Sequence, residues 1–148
     1  MTRNWHPVKL ADARRAQRRQ IKGVDFEVHF SPFDLPDGVR GDYCPKRNRF
    51  VIEFHYPGLE ERTTDREADE HITFVVGRNS GRLYEIVVDV RAMNAQAVSL
   101  RAIVSEQVDR ALAGSVPQTR DVRTGNLSVI REAVANSRPE IFEPLPIH

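Results

Sequence analysis

Residues 72–90 alternate apolar and polar side chains on either side of Asn79-Ser80-Gly81, and no other feature limits the fold of this chain as tightly. Strand periodicity of two means that loop length decides which side chains enter the core. A two-residue loop would set Ile72, Phe74 and Val76 opposite Val87, Glu85 and Leu83, placing a carboxylate among apolar neighbours. A three-residue loop closing on a left-handed Gly81 sets them opposite Val88, Ile86 and Tyr84 instead. The second hairpin is the expected one. Its outer face then pairs His71 with Asp89, Thr73 with Val87, and Val75 with Glu85.

The same reasoning yields a hairpin upstream, residues 39–44 against 49–56 around Pro45-Lys46-Arg47-Asn48. A four-residue loop sets Tyr43 opposite Phe50 inside and Arg40 opposite Glu53 outside, so both faces are consistent. Residues 24–30 also alternate, with Val24, Phe26, Val28 and Phe30 on one side and Asp25, Glu27 and His29 on the other, as in a half-buried strand. Residues 31–38 read as a loop. The charged stretch 59–70 reads as a solvated loop or a short frayed helix.

After residue 90 the period becomes helical. Ala97, Leu100, Val104, Val108, Ala111 and Leu112 form one stripe, from an N-cap near Asn94 to Gly114. A linker with Pro117 and Gly125 leads to a shorter helix over residues 127–136, with Leu127, Ile130 and Val134 on its apolar side. Arg138-Pro139 blocks its continuation, and the apolar, Pro-spaced tail is expected to be extended and docked on this chain or a partner. At the other end, residues 8–21 favour a surface helix, with Pro7 at its start and Gly23 at its end.

The expected fold is therefore α+β, a single domain over residues 1–148. It has a basic helical arm (1–23), an antiparallel β-meander of four to five strands (24–90), two C-terminal helices (94–137) packed on one sheet face, and a tail (138–148). With 148 residues, 40% of them hydrophobic and 29% charged, the chain can bury a core without staples. Its longest apolar stretches fall well short of the roughly 20 residues of a membrane span. The first residues lead into a charged segment with no apolar h-region, so the expected location is cytoplasmic and no membrane partner is expected. Cys44 is the single cysteine, which excludes an internal disulfide.

A net charge of +1 conceals an asymmetry. Residues 1–22 carry seven Lys or Arg against Asp12 alone, leaving 15 basic and 20 acidic residues in the remainder. The body is mildly acidic and the leading arm basic.

The run Gly41-Asp42-Tyr43-Cys44-Pro45-Lys46-Arg47-Asn48-Arg49-Phe50-Val51-Ile52-Glu53-Phe54, with Asn79-Ser80-Gly81-Arg82-Leu83-Tyr84-Glu85-Ile86 after an acidic stretch, resembles a family of small uncharacterised bacterial β-rich proteins sometimes found near toxin genes. The resemblance covers residues 41–90. It implies a β-rich module and supplies no catalytic residue.

Three candidate constellations emerge. Val51, Val75 and Val87 form an apolar strip ringed by charge on the outer face, the anatomy of an interface, although valine is also simply favoured in strands. Arg14, Arg15, Arg18 and Arg19 on a helix could grip phosphates, or lie across an acidic protein surface. His55 and His71 at one end of adjacent strands, with Glu53 and Asp89, could hold a metal or act as acid and base, or be a solvated polar face. No nucleophile or phosphate-loop context is present, and no cofactor is called for. The leading reading is a non-enzymatic, self-associating protein-binding module, forming a homodimer or other homo-oligomer. Its rivals are a nucleic-acid-associated protein, as in a toxin–antitoxin pair, and a small metal-dependent or acid–base enzyme.

Overall fold

A computed structural model describes residues 5–10, 18–21, 24–27, 35–58, 60–91, 93, 99–113 and 124–146. Among these residues eight strands appear in chain order: β1 (His6–Pro7), β2 (Arg18–Ile21), β3 (Val24–Glu27), β4 (Gly38–Cys44), β5 (Arg49–His55), β6 (Thr63–Glu67), β7 (Ile72–Gly77) and β8 (Leu83–Asp89). Three helices follow among the described residues: α1 (Leu100–Leu112), α2 (Thr124–Asn136) and α3 (Arg138–Phe142). The fold is α+β, with a six-stranded antiparallel sheet in the order β1-β4-β5-β8-β7-β6. No helix among the described residues is long and apolar enough to cross a membrane.

The first hairpin has the expected register, with Tyr43 opposite Phe50 and Arg40 opposite Glu53. A single 3-10 turn at Pro45–Arg47 and a left-handed Asn48 (φ 52°) close it. In the second hairpin Ile72 pairs with Val88, Thr73 with Val87, Phe74 with Ile86 and Val75 with Glu85, as expected, and Gly81 is left-handed at φ 72°. The register then shifts, so that Val76 faces Leu83 and not Tyr84. Tyr84 is the extra residue of a bulge. The shift puts the fully buried Leu83 into the core and leaves Tyr84, with its hydroxyl, on the outer side.

Strand order departs from a simple meander. Residues 63–67, expected in a loop or frayed helix, form β6 at the sheet edge, paired to β7. Thr-Thr-Asp-Arg-Glu has no apolar face to bury, and a charged strand is tolerated where one side stays open. The inner faces of β5, β7 and β8 are apolar throughout, so these three occupy the middle and β5 pairs with β8.

The N-terminal segment is not the expected helix where it is described. His6 and Pro7 pair with Val39 and Gly38, and Arg18–Ile21 forms a strand against Val24–Glu27 in a separate two-stranded sheet. Backbone pairing between neighbouring segments here overrides a weak helix propensity. Residues 11–17 and 28–30 lie outside the described residues.

Helix α1 begins after Ser99, whose hydroxyl accepts from the Ala102 N–H at 3.1 Å; the expected cap, Asn94, lies outside the described residues. Helix α2 starts at Thr124, earlier than its apolar stripe suggests. The described part of the tail opens with a helix, Arg138–Phe142, in place of the expected extended segment. Pro139 sits in the first turn of α3, where its missing N–H costs nothing. Ile141, Phe142 and Leu145 are buried with Phe50, Ile52, Val104, Val108 and Ile130 in one core, and the Phe142 ring stacks on Phe50 at 5.7 Å. Arg101 ties down the end of the chain by donating to the carbonyls of Glu143 and Leu145 at 2.9 and 2.8 Å.

Candidate functional site

Strand alternation sends half of each central strand away from the helices. Two cross-sheet rows result on the outer face: Asp42, Val51, Val87, Thr73 and Glu67, then Arg40, Glu53, Glu85, Val75 and Asp65. The three candidate interface residues are thereby brought together. Val51 and Val87 are directly opposite on the central strands, Val75 lies diagonally from Val87, and all three are half-buried. Charges of both signs frame them. Arg40 makes a two-pronged contact with Glu53, at 3.1 and 3.2 Å, while its guanidinium lies 3.7 Å above the Trp5 ring.

Glu53 and Glu85 face one another across β5 and β8. Partial burial pushes the Glu85 carboxyl above its usual range, helped by Glu53 and Asp65 and opposed by Arg49 and Arg40. Beside this pair opens a cleft of 390 Å³ bordered by Trp5, His55, Glu60 and Tyr84. His55 Nδ1 contacts Asp37 Oδ1 at 2.5 Å and its ring lies 5.5 Å from Trp5.

The proposed grouping of His55 with His71 fails. It assumed that β5 and β7 are adjacent, but β8 lies between them, and the two histidines stand at opposite ends of the sheet, roughly 20 Å apart along the strands. His71 does sit beside Asp89, whose N–H donates to the His71 carbonyl at 2.8 Å. That corner also holds Arg47, Arg49 and Arg91, whose charges repel a cation. Glu53 belongs to the other end, with Arg40. Among the described residues no three His, Cys, Asp or Glu side chains stand in a metal-holding arrangement.

The arginine cluster fares no better as a helical surface. Arg18 and Arg19 lie in a strand, and Arg14 and Arg15 are outside the described residues.

No family model, curated protein or solved structure matches the chain. Its own geometry carries the functional reading.

One polar centre escaped the sequence. Glu61, in the segment between β5 and β6, buries its carboxylate against the β7–β8 turn. Its Oε1 accepts from the backbone N–H groups of Asn79 and Ser80 at 2.9 and 3.1 Å. Its Oε2 accepts from the Ser80 hydroxyl, from Tyr84 Oη at 2.8 Å and from Arg82 Nη2 at 3.1 Å. Burial, the largest influence on Glu61, pushes its pKa up; the hydrogen bonds from Ser80 and Tyr84 and the two backbone N–H groups together outweigh it and hold the value at about 2. Burial, together with its hydrogen bond to Glu61, pushes Tyr84 up to about 12.

Tyr56 and Asn126 hold Arg82 and the start of β8 in place behind this centre. The Arg82 guanidinium lies 4.8 Å from the Tyr56 ring centre, Tyr56 Oη donates to the Leu83 carbonyl at 2.8 Å, and the fully buried Asn126 bridges Tyr56 Oη and the Leu83 N–H, each at 2.8 Å. Only the turn residues Ser80 and Gly81 hinted at it locally. Nothing in the sequence indicates that a carboxylate some 19 residues upstream reaches them.

Proposed function

We propose that this chain is a self-associating binding module whose open sheet face docks a second copy of itself. The observation that carries this reading is the Val51–Val87 pair on the central strands, with Val75 beside it, on the face opposite the packed helices. A two-fold contact presents the same patch twice, so its rim must be self-complementary. Arg40 and Arg49 alongside Glu53, Asp65 and Asp89 provide both signs within one face. Docking removes the valines from water, each side chain contributing about 1 kcal/mol given that half of its surface is already covered.

Light scattering coupled to size exclusion tests this on the full chain and on Val87→Asp, with thermal melting as a check of folding. A dimer that the folded variant converts to monomer supports the reading. A wild-type monomer at the highest workable concentration, or a variant as dimeric as the wild type, rejects it. The rival readings have their own tests: salt-sensitive RNA or DNA binding lost on neutralising Arg14, Arg15, Arg18 and Arg19, or an activity lost on replacing Glu53 or His55, which line the cleft.

A further inference from the structure

The five donors around Glu61 all come from one contiguous stretch, residues 79–84. Two successive backbone N–H groups point at one oxygen, and a hydroxyl, a phenol and a guanidinium point at the other. Successive N–H groups in a turn form an anion-binding concavity without any help from distant elements. The floor is equally specific. A Cβ on Gly77 would stand 2.5 Å from Glu61 Oε2 and 2.6 Å from its Cδ, so a side chain there would have to push the carboxylate off its donors. Ser80 is held for its task as well, since its hydroxyl accepts from the Arg82 N–H at 3.0 Å and from Arg82 Nε at 3.1 Å while donating to the carboxylate.

We propose that residues 77–84 form a carboxylate-binding socket, which Glu61 fills in cis and which accepts a carboxylate from outside once Glu61 is withdrawn. The geometry selects the chemical class. Two oxygens are each fully coordinated, and the single positive charge of Arg82, its side chain only 9% exposed, is matched by a single negative one. A dianionic phosphate would bring a second charge and further oxygens beyond the two that the five donors of residues 79–84 coordinate, which a buried location penalises. The segment carrying Glu61 is thus the resident ligand of the β7–β8 turn, and the hairpin's anchorage to the strand edge depends on it.

Glu61→Ala empties the socket while keeping its donors, in the full-length chain. Thermal melts are compared in chloride, formate, acetate and phosphate at matched ionic strength. The variant is expected to melt roughly 10 °C below the wild type in chloride, as when one partner of a buried ion pair is removed. Formate or acetate should restore most of that loss, with phosphate and chloride failing to do so and the wild type indifferent to the anion. Adding Gly77→Ala to the variant closes the space for the carboxylate carbon and must abolish the rescue, which separates the socket from a general salt effect. If Glu61→Ala does not fold in chloride, the same four anions are compared by refolding yield.

Equal rescue by phosphate overturns the carboxylate assignment. No rescue by any anion, rescue that survives Gly77→Ala, or a Glu61→Gln variant as stable as the wild type overturns the socket itself.

Discussion

A Cβ on Gly41 would stand 1.9 Å from the carbonyl oxygen of Ile141. The backbone of the tail helix therefore rests directly on β4, at the one position of that strand's inner face where no side chain intervenes. This contact sets how deeply Ile141 and Phe142 enter the core.

Gly41→Ala is accordingly expected to lift α3 from the sheet. A clash with backbone cannot be relieved by rotating a side chain, so the cost should reach or exceed the roughly 1–3 kcal/mol typical of overpacking. Urea denaturation measures the loss, and faster protease cleavage near residues 138–146 should accompany it. A variant as stable and as protected as the wild type would show that the tail does not dock in this way.

Asn126 joins helix α2 to the start of β8 through the Leu83 N–H and Tyr56 Oη. Asn126→Ala leaves the Leu83 N–H buried and unpaired, at a cost of about 1–3 kcal/mol, with a cavity adding to it. Tyr56→Phe removes only one member and should cost less. Denaturation midpoints of the two variants, compared with the wild type, give the order.

The pH dependence of stability follows from Glu61. Its folded value, about 2, lies below the ordinary 4.5, so its contribution is complete above pH 4.5 and is lost as the pH falls towards 2. Glu61→Gln should flatten the acid limb of the stability curve over that window while lowering stability at neutral pH. Denaturation at a series of acidic pH values checks both effects.

Glu85 has the opposite sign. Its carboxyl is raised, so ionisation opposes the fold at neutral pH, and that penalty disappears as the pH falls through its raised value. Glu85→Gln also ends the repulsion with Glu53 and Asp65, and should add about 0.2–1 kcal/mol at neutral pH, the range of a cross-strand pair. The gain should shrink on acidification. A variant less stable than the wild type at neutral pH would mean that the attraction of Arg49 and Arg40 outweighs the repulsion.

The chain's own pattern determined the local registers. Arg40 opposite Glu53 and Phe74 opposite Ile86 follow from a period of two and a turn of known length, because those partners are joined by only a few residues. The stripe of Leu100, Val104, Val108 and Leu112 is legible for the same reason, since residues three or four apart share one helix face. The three valines of the outer face could be read as a group because each lies within a strand of known phase.

Tertiary structure alone decided which strand edges meet. Pairing β5 with β8 links residues about 35 positions apart, and it follows from burying three apolar inner faces together while the charged β6 is left at the edge. That one exchange separated His55 from His71 and set Glu53 against Glu85. Likewise, a bulge moved Leu83 inward, a bare Gly41 admitted a helical tail, and Gly77 made room for Glu61. Each depends on space between segments distant in the chain, which no local periodicity encodes.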